Sequence, residues 1–428
     1  MNHPIIKYFS CCFALLMTIG SLHAQDTLRL TPTQAEQLFL QKNLAIAANK
    51  YNVDINKALA MQAGLKDNPS VFLDQNLYDG KLFRHTADYG QVFLQLQQIV
   101  RTAGKRQKLV RLSDDQAFTA EAQLNDFVRN LKFIVQNNLN TLRQLQQSSG
   151  FYKNEIADVK RLSVAMDSVL QAGEVSLKET LRVKALLFEL QNNINDNEQQ
   201  QIAVQGELRS VLQTNPSVII IAEPLAPGLP RFTRSDSSST DLDATKLTDL
   251  ARQNRPDIAL AKSQIAFQKH NLDYQLALKK PDVTLGIEYD QRNSYTTNYV
   301  GFSVGLPLMI FNKNQGNIKA AELGIKQAQI QTQSVENQAL AEVYTAYQKW
   351  QSLQKYRGEI PADLGKKYDD LLSNVNTMYR QRQISLLDFI DFVQSYRDTQ
   401  LKKIQIETAL LNAAAELNFT VGQGVIAY

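Results

Sequence analysis

Residues 299–316, YVGFSVGLPLMIFNKNQG, contain a strand pattern that leads into a helix pattern. Apolar residues alternate with small or polar ones along 300–306, which is the period of a β-strand with one apolar face. Pro307 ends the strand, because proline has no N–H to donate to a neighbouring strand. A polar turn follows at 312–316, and a helical pattern begins after it. Residues 91–106 show the same order, so we expect one strand–helix junction in each half of the chain.

The composition excludes several classes of protein. The chain has 428 residues, of which 44% are hydrophobic and 21% are charged, as in folded proteins. Its net charge of +4 is small for this length, and its basic residues are not clustered, so nothing supports nucleic-acid binding. No segment after residue 24 has 18 consecutive apolar residues, so we expect no membrane-spanning helix.

Residues 1–24 have the pattern of a cleaved secretory signal, with an apolar run at 9–19 and a cleavage site after Ala24. The apolar run is too short to anchor a protein in a membrane. Cys11 and Cys12 are the two cysteines of the chain, and both lie inside this segment and away from its end. We therefore expect an exported protein whose mature form has no cysteine and no acylated N-terminus.

The chain contains two copies of one structural plan. With a shift of 212 residues, residues 69–73 align with 281–285 and share proline, valine and leucine at the same positions. Each half is predicted to contain a helix, two strands, a very long helix and a return helix. The predicted organisation is a signal peptide (1–24), a first repeat (25–214), a Pro- and Ser-rich connector (215–243), a second repeat (244–420) and a C-terminal tail (421–428).

The patterns also predict the bounds of the elements. Predicted helices span about 33–66, 104–171, 176–212, 244–279, 315–380 and 385–418, and predicted strands span about 70–79, 89–98, 282–291 and 299–306. Capping boxes start the two return helices, at Ser176 with Glu179 and at Ser385 with Asp388. We expect a bend at Pro256, and an interruption of the second long helix is possible at 358–361.

The helix lengths favour an elongated architecture. A helix of about 65 residues is about 100 Å long, and the two shorter helices of each half can stack end to end to match it. Val343, Ala346, Trp350 and Leu353 have the four- and three-residue spacing of coiled-coil packing. This spacing alone leaves open a plain helical bundle.

The strands favour a membrane protein over a plain bundle. Four strands of about ten residues, apolar on one face and polar on the other, match transmembrane β-strands. Four strands are too few to close a barrel, and an open sheet edge is not stable in lipid, so the chain must oligomerise. Three copies would supply twelve strands, which the helices would continue as a tube. Tyr78, Tyr89, Tyr295 and Tyr299 lie near predicted strand ends, where they form either an aromatic girdle or ordinary strand positions.

In these features the whole mature chain resembles the TolC family of outer-membrane efflux proteins. Its junctions resemble those of the heavy-metal branch, the CzcC- and CusC-like proteins, at two motifs: Gly104-Lys105-Arg106, and Pro307-Leu308 followed by FNKNQGNI at 311–318. The junction residues singled out are Gly104, Lys105, Arg106, Pro307, Asn314, Gln315 and Gly316.

The resemblance implies a mainly α fold with a small β part. Long coiled-coil hairpins and four transmembrane strands per chain would form a homotrimer with a 12-stranded barrel in the outer membrane of a Gram-negative bacterium. An α-helical barrel would continue it across the periplasm. The family also implies two protein partners, a periplasmic adaptor and an inner-membrane pump of the RND type. The expected function is export of heavy-metal cations.

The resemblance further implies docking tips and a gate. The first tip, 173–179, fits the family's tip pattern, whereas the second has Arg382 where glycine is usual. The implied adaptor-docking residues are Gly173, Val175, Ser176, Glu179, Ile384 and Ser385. The implied periplasmic gate consists of Asp388, Asp391 and Tyr379, and three chains would bring six carboxylates to one ring. Alternatively, Asp388 only caps a helix and Asp391 is a solvated residue.

Little supports an enzyme. The mature chain has two histidines, His85 and His270, and no zinc-ligand spacing, phosphate-binding glycine loop or nucleophile elbow. We therefore expect no catalytic residue, no resident metal and no cofactor. Two other hypotheses remain. One is a soluble periplasmic coiled-coil adaptor, which would have one hairpin between compact β-domains. The other is an outer-membrane conduit for drugs or for proteins secreted by a type I system.

Overall fold

The computed structural model shows an elongated mainly helical chain. The structure describes residues 26–78, 80–84, 86, 89–224, 231–232, 243–361, 367, 370–371, 374–375, 377–379 and 381–427. The expected signal peptide, His85 and part of the expected connector lie outside the described residues.

All predicted helices are present, and three of them are divided. The helices whose bounds the structure describes are α1 (Pro32–Lys42), α2 (Leu44–Ala63), α3 (Lys105–Gln171), α4 (Leu177–Leu212), α5 (Ala244–Asn254), α6 (Pro256–Leu278), α7 (Gln315–Glu359) and α8 (Leu386–Val421). The single helix predicted at 33–66 was wrong, because Asn43 separates α1 from α2. Its side-chain Oδ1 accepts a hydrogen bond from the Ile46 N–H at 3.0 Å and starts a new helix.

Prolines set two other boundaries, as predicted. Pro256 is the first residue of α6, where its missing N–H leaves no helical bond unmade. Pro361 follows α7, and the residue before it, Ile360, is extended with φ −78° and ψ 121°. Within 367–379, the described residues are helical again. None of the described helices is long and apolar enough to cross a membrane.

The strands among the described residues are β1 (Thr27–Leu30), β2 (Ser70–Gln75), β3 (Val92–Val100), β4 (Ile219–Ala222), β5 (Arg231–Phe232), β6 (Val283–Arg292), β7 (Thr297–Gly305) and β8 (Ile426–Ala427). Four of them form one antiparallel sheet in the order β2–β3–β6–β7. β2 ends four residues earlier than predicted, and β3 begins later and extends to Val100. The intervening loop contains Gly80 and Gly90, both in the left-handed region.

The two faces of this sheet differ in polarity. Apolar residues form rows across all four strands: Leu73, Leu94, Tyr289 and Val300 in one row, and Val71, Leu96, Ile287 and Phe302 in the next. Most of them are exposed; Val300 is 69% exposed. On the opposite face, the Gln95 side chain donates to the Glu288 carboxylate at 3.0 Å. The predicted alternation is thus confirmed in register across the sheet.

The helices lie in columns that follow the order of the strands. α3 packs against α2 and α4 on one side and against α6 and α8 on the other, and α7 packs against α5, α6 and α8. The column of α2 and α4 is therefore at one edge of the chain and α7 is at the other. These are also the edges where β2 and β7 lie, since α2 leads into β2 and β7 leads into α7.

Four short strands were not predicted. β1 pairs with β4 in parallel, and β5 pairs with β8 in antiparallel orientation. Ile220 of β4 is fully buried in a core shared with α1, α3 and α4. Ile426 of β8 is buried in a second core with α5, α7 and α8. β4 of the expected connector and β8 of the expected tail are thus packed against the helices.

Candidate functional site at the hairpin tips and the strand–helix junctions

The first tip is a glycine-ended helix followed by a capped helix. After α3, Gly173 has φ +77°, and the N–H groups of Gly173 and Glu174 donate to the carbonyls of Leu170 and Val169 at 3.0 and 3.1 Å. Ser176 and Glu179 then form the predicted capping box. The hydrogen bonds from the Ser176 N–H and hydroxyl lower the pKa of Glu179.

The second tip repeats this turn without glycine. Arg382 has φ +58°, and its N–H donates to the Tyr379 carbonyl at 2.9 Å. The Gln383 N–H donates to the Met378 carbonyl at 2.8 Å. The backbone therefore follows the same path as in the first tip, although a side chain makes this conformation less favourable by roughly 1 kcal/mol. Ser385 and Asp388 form the second capping box, as predicted.

An ion pair joins the two tips. Arg382 contacts the carboxylate of Glu174 at 2.7 Å, and both side chains are largely exposed. Solvent screens such a pair, so its contribution to stability is small. Its position is nevertheless informative, because it shows that the two hairpin ends of the chain lie side by side. Sequence analysis did not find it, since the partners are 208 residues apart.

Tyr379 lies in an apolar cluster near the tips. Its ring stacks on Phe389 with centroids 4.6 Å apart and planes 19° apart, and its hydroxyl contacts the Met166 sulfur at 3.7 Å. Burial raises the pKa of Tyr379, and the nearby Glu179 carboxylate adds to this rise. Phe389 was not singled out from the sequence, although it lies directly after Asp388.

Asp388 and Asp391 lie in the first two turns of α8 and are both exposed. The Asp388 carboxylate accepts from the Ser385 N–H at 3.3 Å and from its hydroxyl at 2.7 Å. Asp388 is therefore an N-terminal cap, as the alternative interpretation held, and this role leaves one carboxylate oxygen for other contacts. The gate assignment of both residues stays a prediction.

The first junction is tied to the second repeat by a buried lysine. Ala103 and Gly104 have φ of 55° and 67° and turn the chain from β3 into α3. Lys105 is 4% exposed, and its ammonium contacts the Asp282 carboxylate at 2.7 Å. The same carboxylate accepts from the Thr102 N–H at 2.8 Å. Arg106 is half-buried in the first turn of α3.

The second junction uses an asparagine instead. Asn314 has φ +60° and precedes α7, and its side-chain NH₂ donates to the Gln275 carbonyl at 2.8 Å. Gln315 and Gly316 are exposed in the first turn of α7, and Pro307 is exposed just after β7. Each junction thus contains a residue in the left-handed conformation. Each is also joined by a polar contact to α6 or to the residues directly after it.

A cluster of charges around the buried Glu155 and Arg397 was not predicted. Glu155 of α3 is 9% exposed, and neither of its carboxylate oxygens has a hydrogen-bond partner among the described residues. Burial raises its pKa to about 7, and nearby Arg397 opposes this rise. Arg397 of α8 contacts Glu189 of α4 and Asp398, each at 3.1 Å. The sequence gives no signal for this cluster, because its members lie on three separate helices.

The described histidine, His270, is paired with an acidic residue. His270 contacts Asp115 at 2.5 Å on the adjacent helix. The part of the chain that the structure describes contains no group of three or more His, Cys, Asp or Glu side chains placed to hold a metal ion.

Comparison with known proteins identifies the fold. Residues 247–423, nearly the whole second repeat, match the family model of outer membrane efflux proteins. The structure superimposes on the Neisseria gonorrhoeae MtrE outer membrane channel in its open state with a TM-score of 0.71 and 15% identity, over 92% of this chain and 89% of that one. The fold is that of an outer-membrane channel protein.

Two further structures agree with this identification. CusC superimposes with a TM-score of 0.70 and 15% identity, over 92% of each chain. The outer membrane protein VceC from Vibrio cholerae gives 0.70 and 16%, over 92% of this chain and 96% of that one. No curated protein sequence matches the chain significantly. At these identities the superpositions establish the fold, and CusC is no more similar than the others.

Proposed function

We propose that three copies of this chain form an outer-membrane channel that completes a tripartite efflux system. The observation that carries the proposal is the four-stranded sheet, which has an exposed apolar face and two edges without a strand partner among the described residues. A sheet in lipid has to close, and three copies give twelve strands. The helical columns share the edges of the sheet, so they would close into a tube below it.

Exposed apolar residues on the two helical edges support a seam between copies. On one edge, α2 exposes Tyr51, Ile55 and Leu59 at four-residue intervals, and on the other α7 exposes Leu323 and Ile330 at a heptad interval. Ile55 lies eight residues before the end of α2 that leads into the sheet. Leu323 lies eight residues after the start of α7, so the two residues are at a similar distance from the sheet.

The tips and the gate have proposed roles at the far end of the tube. The tip residues Gly173, Val175, Ser176, Glu179, Ile384 and Ser385 would dock a periplasmic adaptor, which links the tube to an energy-supplying inner-membrane pump of the RND type. Leu177 and Leu387 are exposed in the first turn after each tip, which is consistent with a docking surface. Asp388, Asp391 and Tyr379 would form the gate, since both carboxylates are exposed and Tyr379 stacks on Phe389, the residue after Asp388.

The proposed cargo is a heavy-metal cation. This part of the proposal rests on the junction motifs at 104–106 and 307–318, which resemble the heavy-metal branch. A channel for metal cations and a channel for organic compounds would share this fold, so a biological test is needed. Deletion of the gene should sensitise growth to one or two metals among zinc, cobalt, cadmium, copper and silver. Sensitivity only to detergents, dyes and antibiotics would reassign the cargo to organic compounds.

The trimer can be tested by cross-linking across the seam. In a mature chain without cysteine, the pair Ile55→Cys and Leu323→Cys should form disulfides between copies. On a non-reducing gel, the pair should give a ladder that ends at the mass of three chains. Each single variant should run at the mass of one chain, and it serves as the matched control. A ladder that continues beyond three chains, or no cross-link at all, would contradict a closed trimer.

The gate can be tested by conductance in planar bilayers. We expect the Asp388→Ala/Asp391→Ala variant to lose cation preference and to differ from the wild type in conductance, because the ring of carboxylates attracts cations. Asp398→Ala, farther along α8, is the control. Unchanged conductance and unchanged cation preference in the double variant would reject the gate assignment.

A further inference from the structure

The two strand–helix junctions differ in length. Four residues, 101–104, connect β3 to α3, whereas nine residues, 306–314, connect β7 to α7. The shorter connection already turns a strand into a long helix, so the turn does not require the additional residues. Much of the longer connection is apolar, since residues 306–311 read LPLMIF. The additional length and the apolar composition of this connection therefore need an explanation other than the turn itself.

The apolar side chains of this segment are exposed and continue one face of the sheet. Leu306 is 50% exposed and follows Phe302 and Val304 at the two-residue interval of the apolar face. Beyond it, Leu308 is 74% exposed and Phe311 is 91% exposed. A continuous exposed stretch of this kind marks an interaction surface.

Basic residues lie next to the apolar segment. A groove of about 460 Å³ is lined by Leu276, Lys279, Lys313, Gln315, Ile318, Lys319 and Glu322. Glu322 contacts Lys319 at 3.3 Å, which leaves Lys279 and Lys313 as the basic residues of the groove that have no carboxylate contact among the described residues. Lysines that combine apolar stems with exposed ammonium groups are suited to lipid phosphates at a membrane boundary.

We infer that residues 306–311 contact phospholipid acyl chains at the periplasmic boundary of the outer membrane, with Lys279 and Lys313 beside the lipid phosphates. The inference rests on the proposed membrane channel. Continuity with the apolar face of the sheet, together with the adjacent lysines, favours lipid over a second copy of the chain as the partner. The segment would set the depth at which the barrel meets the tube.

Tryptophan fluorescence can test this contact. Trp350 is the single tryptophan of the chain, is 3% exposed and lies in α7 roughly 50 Å from its start. Phe311→Trp adds a probe in the segment, and Phe302→Trp adds a matched probe on the apolar face of the sheet. Each variant is reconstituted into vesicles of brominated or ordinary phosphatidylcholine, and the wild-type emission is subtracted.

The three outcomes separate the inference from the proposed function. Brominated lipid should quench Phe302→Trp and Phe311→Trp to a similar degree and leave Trp350 unaffected. Quenching of Phe302→Trp without quenching of Phe311→Trp would overturn the lipid contact and leave the channel intact; a segment covered by a second copy would give this result. If neither added probe is quenched, the sheet is not in the bilayer, and both the channel and the lipid contact are wrong.

Discussion

Replacement of Glu155 by glutamine should remove a pH-dependent loss of stability. In the folded protein its pKa is raised to about 7 from an ordinary value of 4.5. The carboxyl group is buried and has no hydrogen-bond partner among the described residues, so its charged form is disfavoured. The charged groups around it are Arg397, which favours ionisation, and Glu189, Asp398 and Asp158, which oppose it.

The sign and size of the effect follow from proton linkage. Between pH 4.5 and 7 the folded state binds more protons at Glu155 than the unfolded state does, so the free energy of unfolding falls as the pH rises. At 1.36 kcal/mol per pKa unit, the loss is about 3 kcal/mol for each chain and is complete above pH 7. Because glutamine cannot ionise, Glu155→Gln should lose less stability than the wild type over this range.

The assay is denaturant unfolding of the purified full chain, followed by far-UV circular dichroism at several pH values and one protein concentration. Glu198→Gln is the matched control, because Glu198 is exposed on α4. We expect Glu155→Gln to be more stable than the wild type at pH 8 and nearly equal to it at pH 4.5. If the variant were less stable at pH 8, Glu155 would be a charged partner of Arg397, and the reasoning would be refuted.

Three further substitutions test the packing and the tips, all through the denaturant midpoint. Arg255→Met should lower the free energy of unfolding by about 3–5 kcal/mol, because Arg255 is 4% exposed and contacts two carboxylates, which would lose their partner. A decrease below about 1 kcal/mol would contradict this. Gly422→Ala should lower the free energy of unfolding by about 1–3 kcal/mol, since φ of Gly422 is +81° and a Cβ there would lie 3.0 Å from the Asn254 backbone. An unchanged stability would show that the backbone of this turn can shift to admit the Cβ. Arg382→Gly should change stability by less than about 1 kcal/mol, because relief of the left-handed conformation offsets the exposed contact with Glu174; a larger loss would assign that contact a structural role.

Local signals in the sequence determined the elements of this fold. The capping boxes at Ser176 and Ser385 and the proline at 361 act on neighbouring backbone groups, so they specify helix ends wherever the helices lie. The period-two pattern of 300–306 likewise specifies which side chains share a face. The repeat and these local signals together predicted the order of the main elements, and with it the fold class.

Tertiary structure decided what depends on distant partners. β1 and β4 are too short to form alone and exist because they pair with each other across about 190 residues, which no local pattern reports. The contact of Arg382 with Glu174 requires the two tips to lie side by side. The pKa of Glu155 is raised because three helices exclude water around it, and a glutamate in a polar stretch of helix gives no sign of that in the sequence. Local hydrogen bonding and periodicity can be read along the chain, whereas burial and pairing depend on the packing of the chain.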